Sequence, residues 1–168
     1  SVIMNCFNGE RYVSQSIKSV INQSYKNWEL IFWDNNSSDN SKNLCKKFKD
    51  KRIKYFYSKN YYKLYKSRNL ALQKAKGKFI TFLDTDDLWY KNKIKDQIKF
   101  LLKNNFRICY SNYLMFNESK RKKKLLGKKK NYLEVRTQEL LDYYDLGILT
   151  VMMEKSLLKK KKFNEKYE

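Results

Sequence analysis

Aspartates in this chain cluster directly after apolar segments. Only 17 of the 168 residues are acidic, against 38 lysines and arginines. Five of the acids nevertheless follow two apolar segments, and they are Asp34, Asp39, Asp84, Asp86 and Asp87. Crowded carboxylates repel one another unless a cation lies among them. Mg2+ and Mn2+ prefer hard oxygen ligands, so the clustering predicts a divalent metal site.

The segment Asp84-Thr85-Asp86 is the centre of this predicted site. In an extended segment residues i and i+2 point to the same side, so both carboxylates would face one ion while Thr85 turns away. The alternative is that Asp84, Asp86 and Asp87 only end a strand and cap the next helix, a common role for aspartate. Two further acids, Asp34 and Asp39, follow the other apolar segment and favour the metal site, in which Asp86 and Asp84 would be the ligands.

Apolar runs and helical periodicities alternate along the first 105 residues. The runs at 2–4, 29–33, 53–57 and 79–83 predict strands, and the 29–33 run is typical of a strand buried on both faces. Helical spacing follows each of them, and Asn8 is predicted to cap the first helix. This alternation predicts an α/β fold with a mainly parallel sheet flanked by helices.

The alternation breaks after residue 105. Arg107–Phe116 predicts a long strand, Tyr132–Val135 another strand, and Gln138–Tyr144 a short helix. We interpret residues 106–168 as a mixed sheet extension of the same domain. In open α/β sheets the ligand crevice lies outside the carboxyl ends of the strands. The polar clusters at 5–10, 34–39 and 84–87 are therefore predicted to meet there, as a negative site in a strongly positive protein.

Composition excludes several other chemistries. The chain has no histidine, so a Ser-His-Asp triad, a Cys-His dyad and a His-containing zinc site are impossible. Three cysteines without Cys-x-x-Cys spacing predict free thiols in a reducing compartment. No apolar run reaches about 18 residues, and the chain starts without a signal-peptide pattern. We therefore expect a cytoplasmic protein.

Five sequence blocks carry a resemblance to a known family. They are SVIMNCFNGE at 1–10, SVINQSY at 19–25, WDNNSSD at 33–39, SRNLA at 67–71 and GKFITFLDTDD at 77–87. In this order and spacing the chain resembles family 2 glycosyltransferases with the GT-A fold, which is Rossmann-like. The resemblance implies one GT-A domain over 1–168, truncated at its C-terminus. Residues 1–105 would be its nucleotide-binding half and 106–168 the start of the acceptor-side half.

The resemblance also implies roles for single residues in the first half. Phe7 and Glu10 match the motif that borders the nucleotide base and ribose. Asp34 matches the acid that reads the base, and Asn35 stands where the family usually has a second acid. Arg68 matches an arginine near the nucleotide, where its charge suits a diphosphate.

The segment Asp84-Thr85-Asp86 matches the family's Asp-x-Asp motif, with Asp86 as the expected metal ligand and Mn2+ or Mg2+ as cofactor. The resemblance implies an inverting transfer from a nucleotide sugar, by default a UDP-sugar, to a glycan or lipid-linked acceptor in cell-envelope polysaccharide synthesis. The catalytic base is expected beyond Glu168, so that neither Glu165 nor Glu168 serves as the base.

Two features leave other interpretations open. The net charge of +21 and the basic run at 120–130 would suit a non-catalytic module for nucleic acid or an anionic surface. We expect no specific nucleic-acid partner, because such a module would not explain acids at strand ends. Peripheral contact with anionic membrane lipid is a further expectation, although charge runs are usually solvated. A haloacid dehalogenase-type phosphatase is disfavoured, since Leu88 replaces the small residue that its motif requires.

Overall fold

The computed structural model describes residues 1–117, 122–126, 147–158 and 163–166. Its strands are β1 Val2–Cys6, β2 Leu30–Asp34, β3 Ile53–Tyr57, β4 Phe79–Phe82, β5 Ile108–Cys109, β6 Tyr113–Asn117, β7 Lys122–Leu126 and β8 Met152–Glu154. Its α-helices are α1 Val13–Ile21, α2 Ser41–Lys46, α3 Leu64–Lys74 and α4 Lys93–Asn104. The alternation of strands and helices predicted for the first 105 residues is confirmed.

One mixed sheet organises the described residues. Its strand order is β3-β2-β1-β4-β8-β5, and the first four strands in this order are mutually parallel. The strand β8 runs antiparallel to both β4 and β5, which is the mixed extension that the sequence predicted. Since β1 lies between β2 and β4, the carboxyl ends of these three strands are neighbours at one edge of the sheet.

Apolar residues cover both faces of this sheet. Alternate residues of β1 enter different cores, because successive strand side chains point to opposite faces. Met4 packs with residues of α1 and α4 such as Ile17 and Leu101, whereas Ile3 packs on the α3 side with Ala71. Two-sided burial explains why β2, which is buried along its whole length, is apolar up to its final aspartate.

The second half differs in detail from the sequence prediction. The long strand predicted over Arg107–Phe116 is two strands, β5 and β6, and β6 pairs with β7 in a separate two-stranded sheet. The predicted elements at 132–135 and 138–144 lie outside the described residues, as does the basic run except for β7. Within the described part of the chain, no helix is long and apolar enough to span a membrane.

Asn8 does not cap the first helix, contrary to the sequence prediction. The helix α1 begins later, at Val13, after Tyr12. Asn8 instead has a left-handed backbone with φ of 51°, which asparagine tolerates better than most residues. Its side-chain oxygen accepts a hydrogen bond from the Ser38 backbone at 2.9 Å. The residue therefore joins the loops after β1 and β2, which form the candidate site.

Candidate active site

Hydrogen bonds join the loops that follow β1 and β2. The Gly9 backbone donates to the Ser41 hydroxyl at 2.9 Å, and the Glu10 backbone donates to Asp39 Oδ2 at 2.8 Å. The Glu10 carboxylate in turn accepts from the Asn40 backbone at 2.9 Å, at the start of α2. Asp39 and Glu10 thus hold the two loops together. Burial alone would raise the pKa of Asp39, but hydrogen bonds from Ser41, and then from the Glu10 backbone, lower it overall.

The loop after β4 packs against the loop after β1. A Cβ atom on Gly9 would lie only 3.1 Å from both Thr85 Oγ1 and Cys6 Sγ, so any larger residue would push these neighbours away by a few tenths of an ångström. The Ser16 hydroxyl on α1 also lies 2.5 Å from the Thr85 carbonyl oxygen and 2.7 Å from that of Asp87. The three polar segments that the sequence placed at strand ends therefore meet in space.

The aspartates after β4 lie in a turn and not in the extended segment that the sequence predicted. The Asp87 backbone donates to the Asp84 carbonyl at 3.1 Å, which closes the turn. Burial, and then the charges of Asp86 and Asp84, raise the pKa of Asp87 to about 6. The carboxylates are therefore close enough to repel one another, and the side chain of Asp86 is exposed to solvent.

Arg68 provides the positive charge at this edge. Its Nη2 atom lies 3.0 Å from Asp84 Oδ1, and its side chain is only 7% exposed against 36% for Asp84. Arg68 lies on α3 next to the loop after β4, and its Nη2 atom donates to the Asp84 carboxylate. Guanidinium groups match phosphate geometry well, so Arg68 is suited to binding a diphosphate beside Asp84.

Asp34 ends β2 and is fully buried. Its Oδ2 atom accepts from the Tyr55 hydroxyl at 2.5 Å, and its Oδ1 atom accepts from the Ser37 backbone at 2.8 Å. Burial, and then the hydrogen bond to Asp34, raise the pKa of Tyr55, so the phenol stays protonated and keeps donating. Through the contact with Ser37, Asp34 fixes the conformation of the loop after β2.

Asn35 holds the segment that follows β3. Its Nδ2 atom donates to the Tyr62 carbonyl at 2.6 Å, and its Oδ1 atom accepts from the Tyr62 backbone at 3.2 Å. This double contact places Tyr61 beside Phe7, with ring centroids 4.7 Å apart, and both rings are about half exposed. An aspartate could accept but not donate here, which gives a physical reason for the amide at this position.

We predict that Asn35→Asp lowers the free energy of unfolding by about 1–3 kcal/mol at pH 7, because a buried carboxylate would then face the Tyr62 carbonyl, which would keep only the longer contact from the Ser67 hydroxyl at 3.3 Å. Urea unfolding monitored by circular dichroism measures this change. Asn36→Asp is the matched control, since Asn36 uses only its oxygen, which accepts from the Tyr57 hydroxyl at 2.7 Å. Equal losses in both variants would contradict the proposed clamp.

Comparison with known proteins identifies the family of this site. The model of the family described as glycosyl transferase family 2 matches residues 1–165. The chain belongs to glycosyl transferase family 2. An Escherichia coli relative, the UDP-Glc:alpha-D-GlcNAc-diphosphoundecaprenol beta-1,3-glucosyltransferase WfgD, is 39% identical over 158 residues, which are 94% of this chain and 61% of WfgD. WfaP of E. coli, with the same described activity, is 32% identical over 95% of this chain and 62% of its own length.

Solved structures show the same GT-A fold. TarS 1-349 of S. aureus, solved in complex with UDP, superposes with a TM-score of 0.78 at 22% identity over 98% of this chain and 50% of that solved chain. The mannosyltransferase PcManGT of Pyrobaculum calidifontis, solved with GDP-Man and Mn2+, gives 0.71 at 14% identity over 98% and 47%. The present chain therefore spans about three fifths of the E. coli relatives and half of these solved chains.

Three residues of this family 2 site were not singled out from the sequence. Tyr61 lies beside Phe7, whereas Asn69 and Phe163 lie beside Arg68 and are hydrogen-bonded to each other. Asn69 directly follows Arg68 in the SRNLA block, which was the available signal. Nothing local marks Tyr61 or Phe163 among the 24 tyrosines and phenylalanines of the chain.

Proposed function

We propose that the protein is a metal-dependent inverting glycosyltransferase. It transfers a sugar from a UDP-sugar to a glycan or lipid-linked acceptor during cell-envelope polysaccharide synthesis. The observation that carries this proposal is the meeting of three loops at one sheet edge, where Arg68, Asp84 and the exposed Asp86 lie together. Membership of glycosyl transferase family 2 supports the reaction class.

The donor nucleotide fits the arrangement of the loops. Phe7 and Tyr61 present half-exposed rings against which a base can pack, and Glu10 follows Phe7 in the same loop after β1. Asp34 and Asn35 fix the neighbouring loops through their hydrogen bonds. Thr85 packs against Gly9 and so holds the loop after β4 in place. TarS has been solved with UDP and with UDP-GlcNAc, which supports UDP as the nucleotide.

Mn2+ or Mg2+ fits the carboxylates after β4. Asp86 would hold the ion, with Asp84 beside it, and the crowding that raises the pKa of Asp87 would be relieved by a cation. Within the described residues, no group of three or more His, Cys, Asp or Glu side chains is arranged to hold a metal by itself. Phosphate oxygens of the donor and water would complete the coordination, as is usual for Mg2+.

The chain's own residues would act mainly on the leaving group. As the acceptor hydroxyl attacks the anomeric carbon, negative charge grows on the departing diphosphate. Arg68 is held in place before the reaction and can stabilise that charge, while a bound metal ion would supply further Lewis-acid stabilisation. Glu165 is not proposed as the base, because its Oε1 atom accepts from Asn69 at 3.0 Å.

The acceptor and location are proposed from the E. coli relatives. The names of WfgD and WfaP specify a GlcNAc-diphosphoundecaprenol acceptor, which is lipid-linked. An acceptor of this class and the net charge of +21 support a protein that works in the cytoplasm at an anionic membrane surface.

Isothermal titration calorimetry with UDP tests the proposed function. We expect binding in the presence of Mn2+ that weakens at least tenfold when EDTA removes the metal, and a comparable loss in Asp86→Asn, since loss of metal-site groups commonly costs about 10–100-fold. Asp96→Asn is the matched control, because Asp96 is an exposed acid on α4 away from these loops. Equal UDP affinity in Asp86→Asn and the unaltered protein would remove the metal assignment.

A salt titration separates this function from nucleic-acid binding. Binding of RNA or DNA to a basic surface weakens steeply with salt, because counterions are released. Binding of UDP at the loops should instead depend on Mn2+, and an excess of bulk RNA should not displace UDP. Metal-independent binding of RNA together with no binding of UDP would overturn the proposed function.

A further inference from the structure

Residues 163–166 contact α3 beside Arg68, although they are far from the other residues of the candidate site in sequence. The Asn69 side chain makes three hydrogen bonds to this segment. Its Nδ2 atom donates to the Phe163 carbonyl at 2.9 Å and to Glu165 Oε1 at 3.0 Å, and its Oδ1 atom accepts from the Phe163 backbone at 3.0 Å. The contact joins residues 94 and 96 positions apart in sequence.

The Phe163 ring fills the space between α3 and β4. It stacks on Tyr65 of α3 with centroids 5.7 Å apart and meets Phe82, the last residue of β4, edge-on at 5.6 Å. The Arg68 guanidinium lies over the same ring at 5.8 Å, within cation–π range. Phe163 therefore contacts α3, which carries Arg68, and the end of β4, which leads into the turn that carries Asp84.

We infer that Phe163, clamped by Asn69, is a positioning residue that sets the Arg68 guanidinium for the donor diphosphate. The Nη2 atom of Arg68 is engaged by Asp84 and one face of the guanidinium lies over the ring, so the direction of its other nitrogens is fixed. A positioned arginine loses less conformational freedom when it binds phosphate. Through this contact, the second half of the chain sets part of the donor site in the first half.

The inference rests on the proposed function, because it assumes that Arg68 binds the diphosphate. The inference predicts an effect on the binding of ligands that carry phosphates and on no others. Loss of a positioned guanidinium should weaken binding of UDP but leave binding of uridine unchanged, since uridine carries no phosphate. A purely structural role for Phe163 would weaken both ligands together or lower stability alone.

The experiment compares Phe163→Leu, Phe163→Tyr and the unaltered chain by calorimetry with UDP and uridine in Mn2+. Phe163→Leu keeps an apolar side chain but removes the ring, and we expect UDP affinity to fall about three- to tenfold, in line with a cation–π contact of about 1 kcal/mol. Phe163→Tyr keeps the ring and should restore UDP affinity. Uridine affinity should be the same in all three proteins.

A second variant tests the clamp. Asn69→Ala removes all three hydrogen bonds while leaving Phe163 in the chain, and we expect the same selective loss of UDP affinity. Thermal unfolding of each variant identifies any protein that fails to fold. Unchanged UDP affinity in folded Phe163→Leu, or equal losses for UDP and uridine, would overturn the inference. Failure of the unaltered protein to bind UDP would instead overturn the proposed function.

Discussion

Lys93→Met is expected to raise the free energy of unfolding by about 2 kcal/mol at pH 7, and this gain is expected to disappear by about pH 10. Burial lowers the pKa of Lys93 from 10.5 to about 7, and the nearby Cys109 only partly opposes this effect. Its Nζ atom donates to Gln97 Oε1 at 2.8 Å and to Thr81 Oγ1 at 3.1 Å and lies over the Trp89 ring.

The pH dependence follows from the direction of this pKa change. Between pH 7 and 10.5 the unfolded chain keeps the Lys93 proton that the folded chain releases, so stability rises with pH by up to ~1.4 kcal/mol per pH unit. Below pH 7 the cost of the buried cation is complete. Methionine removes that cost but also both hydrogen bonds, each worth about 1 kcal/mol, which limits the net gain.

Urea unfolding at pH 7, 8.5 and 10 measures the difference between Lys93→Met and the unaltered chain. Lys99→Met is the matched control, because Lys99 is an exposed lysine on the same helix. It should change stability little at any of these pH values. A gain in Lys93→Met that does not change with pH would show that Lys93 titrates normally in the folded protein.

The parallel half of the fold was predictable because its signals are local. An apolar run that ends in an aspartate, as at Leu30–Asp34, marks both a buried strand and the start of a polar loop. The break between β5 and β6 was missed because strand-forming residues lie on both sides of it, although Ser111 and Asn112 within it are typical of turns. The register against β8, which ends β5 at Cys109, depends on residues more than 40 positions away.

The meeting of the three loops was predictable because polar segments follow the predicted parallel strands at their carboxyl ends, but the partners of each side chain were not. The sequence indicated that Asp34 and Asn35 follow β2, yet the contacts of Asn35 with Tyr62 depend on where the segment after β3 returns. The Asp84–Asp87 turn likewise replaced the extended geometry expected of an Asp-x-Asp segment. The assigned roles of the site residues stay predictions, both for the metal ligands Asp86 and Asp84 and for the nucleotide-sugar-binding residues, which are Phe7, Glu10, Asp34, Asn35, Arg68, Asp84 and Thr85.

Because Asp84 is partly exposed, Asp84→Ala is expected to lower the free energy of unfolding by about 2 kcal/mol, less than the ~3–5 kcal/mol for breaking a fully buried ion pair. The reason is that Arg68, only 7% exposed, would keep its charge and lose its carboxylate. Arg68→Met should cost less, because the remaining Asp84 is 36% exposed and can be hydrated. Urea unfolding of both variants measures this asymmetry.

The neighbouring Asp86 provides the contrast that separates stability from function. Asp86→Ala removes an exposed carboxylate and relieves its repulsion of Asp87, so stability should not fall, whereas Mn2+-dependent UDP binding should be lost. Combining Asp84→Ala with Arg68→Met should recover most of the stability lost in Asp84→Ala, since no buried charge remains unpaired. If the double variant is as unstable as the sum of the single ones, the two side chains do not stabilise each other, and Arg68 is held at the donor site by other contacts.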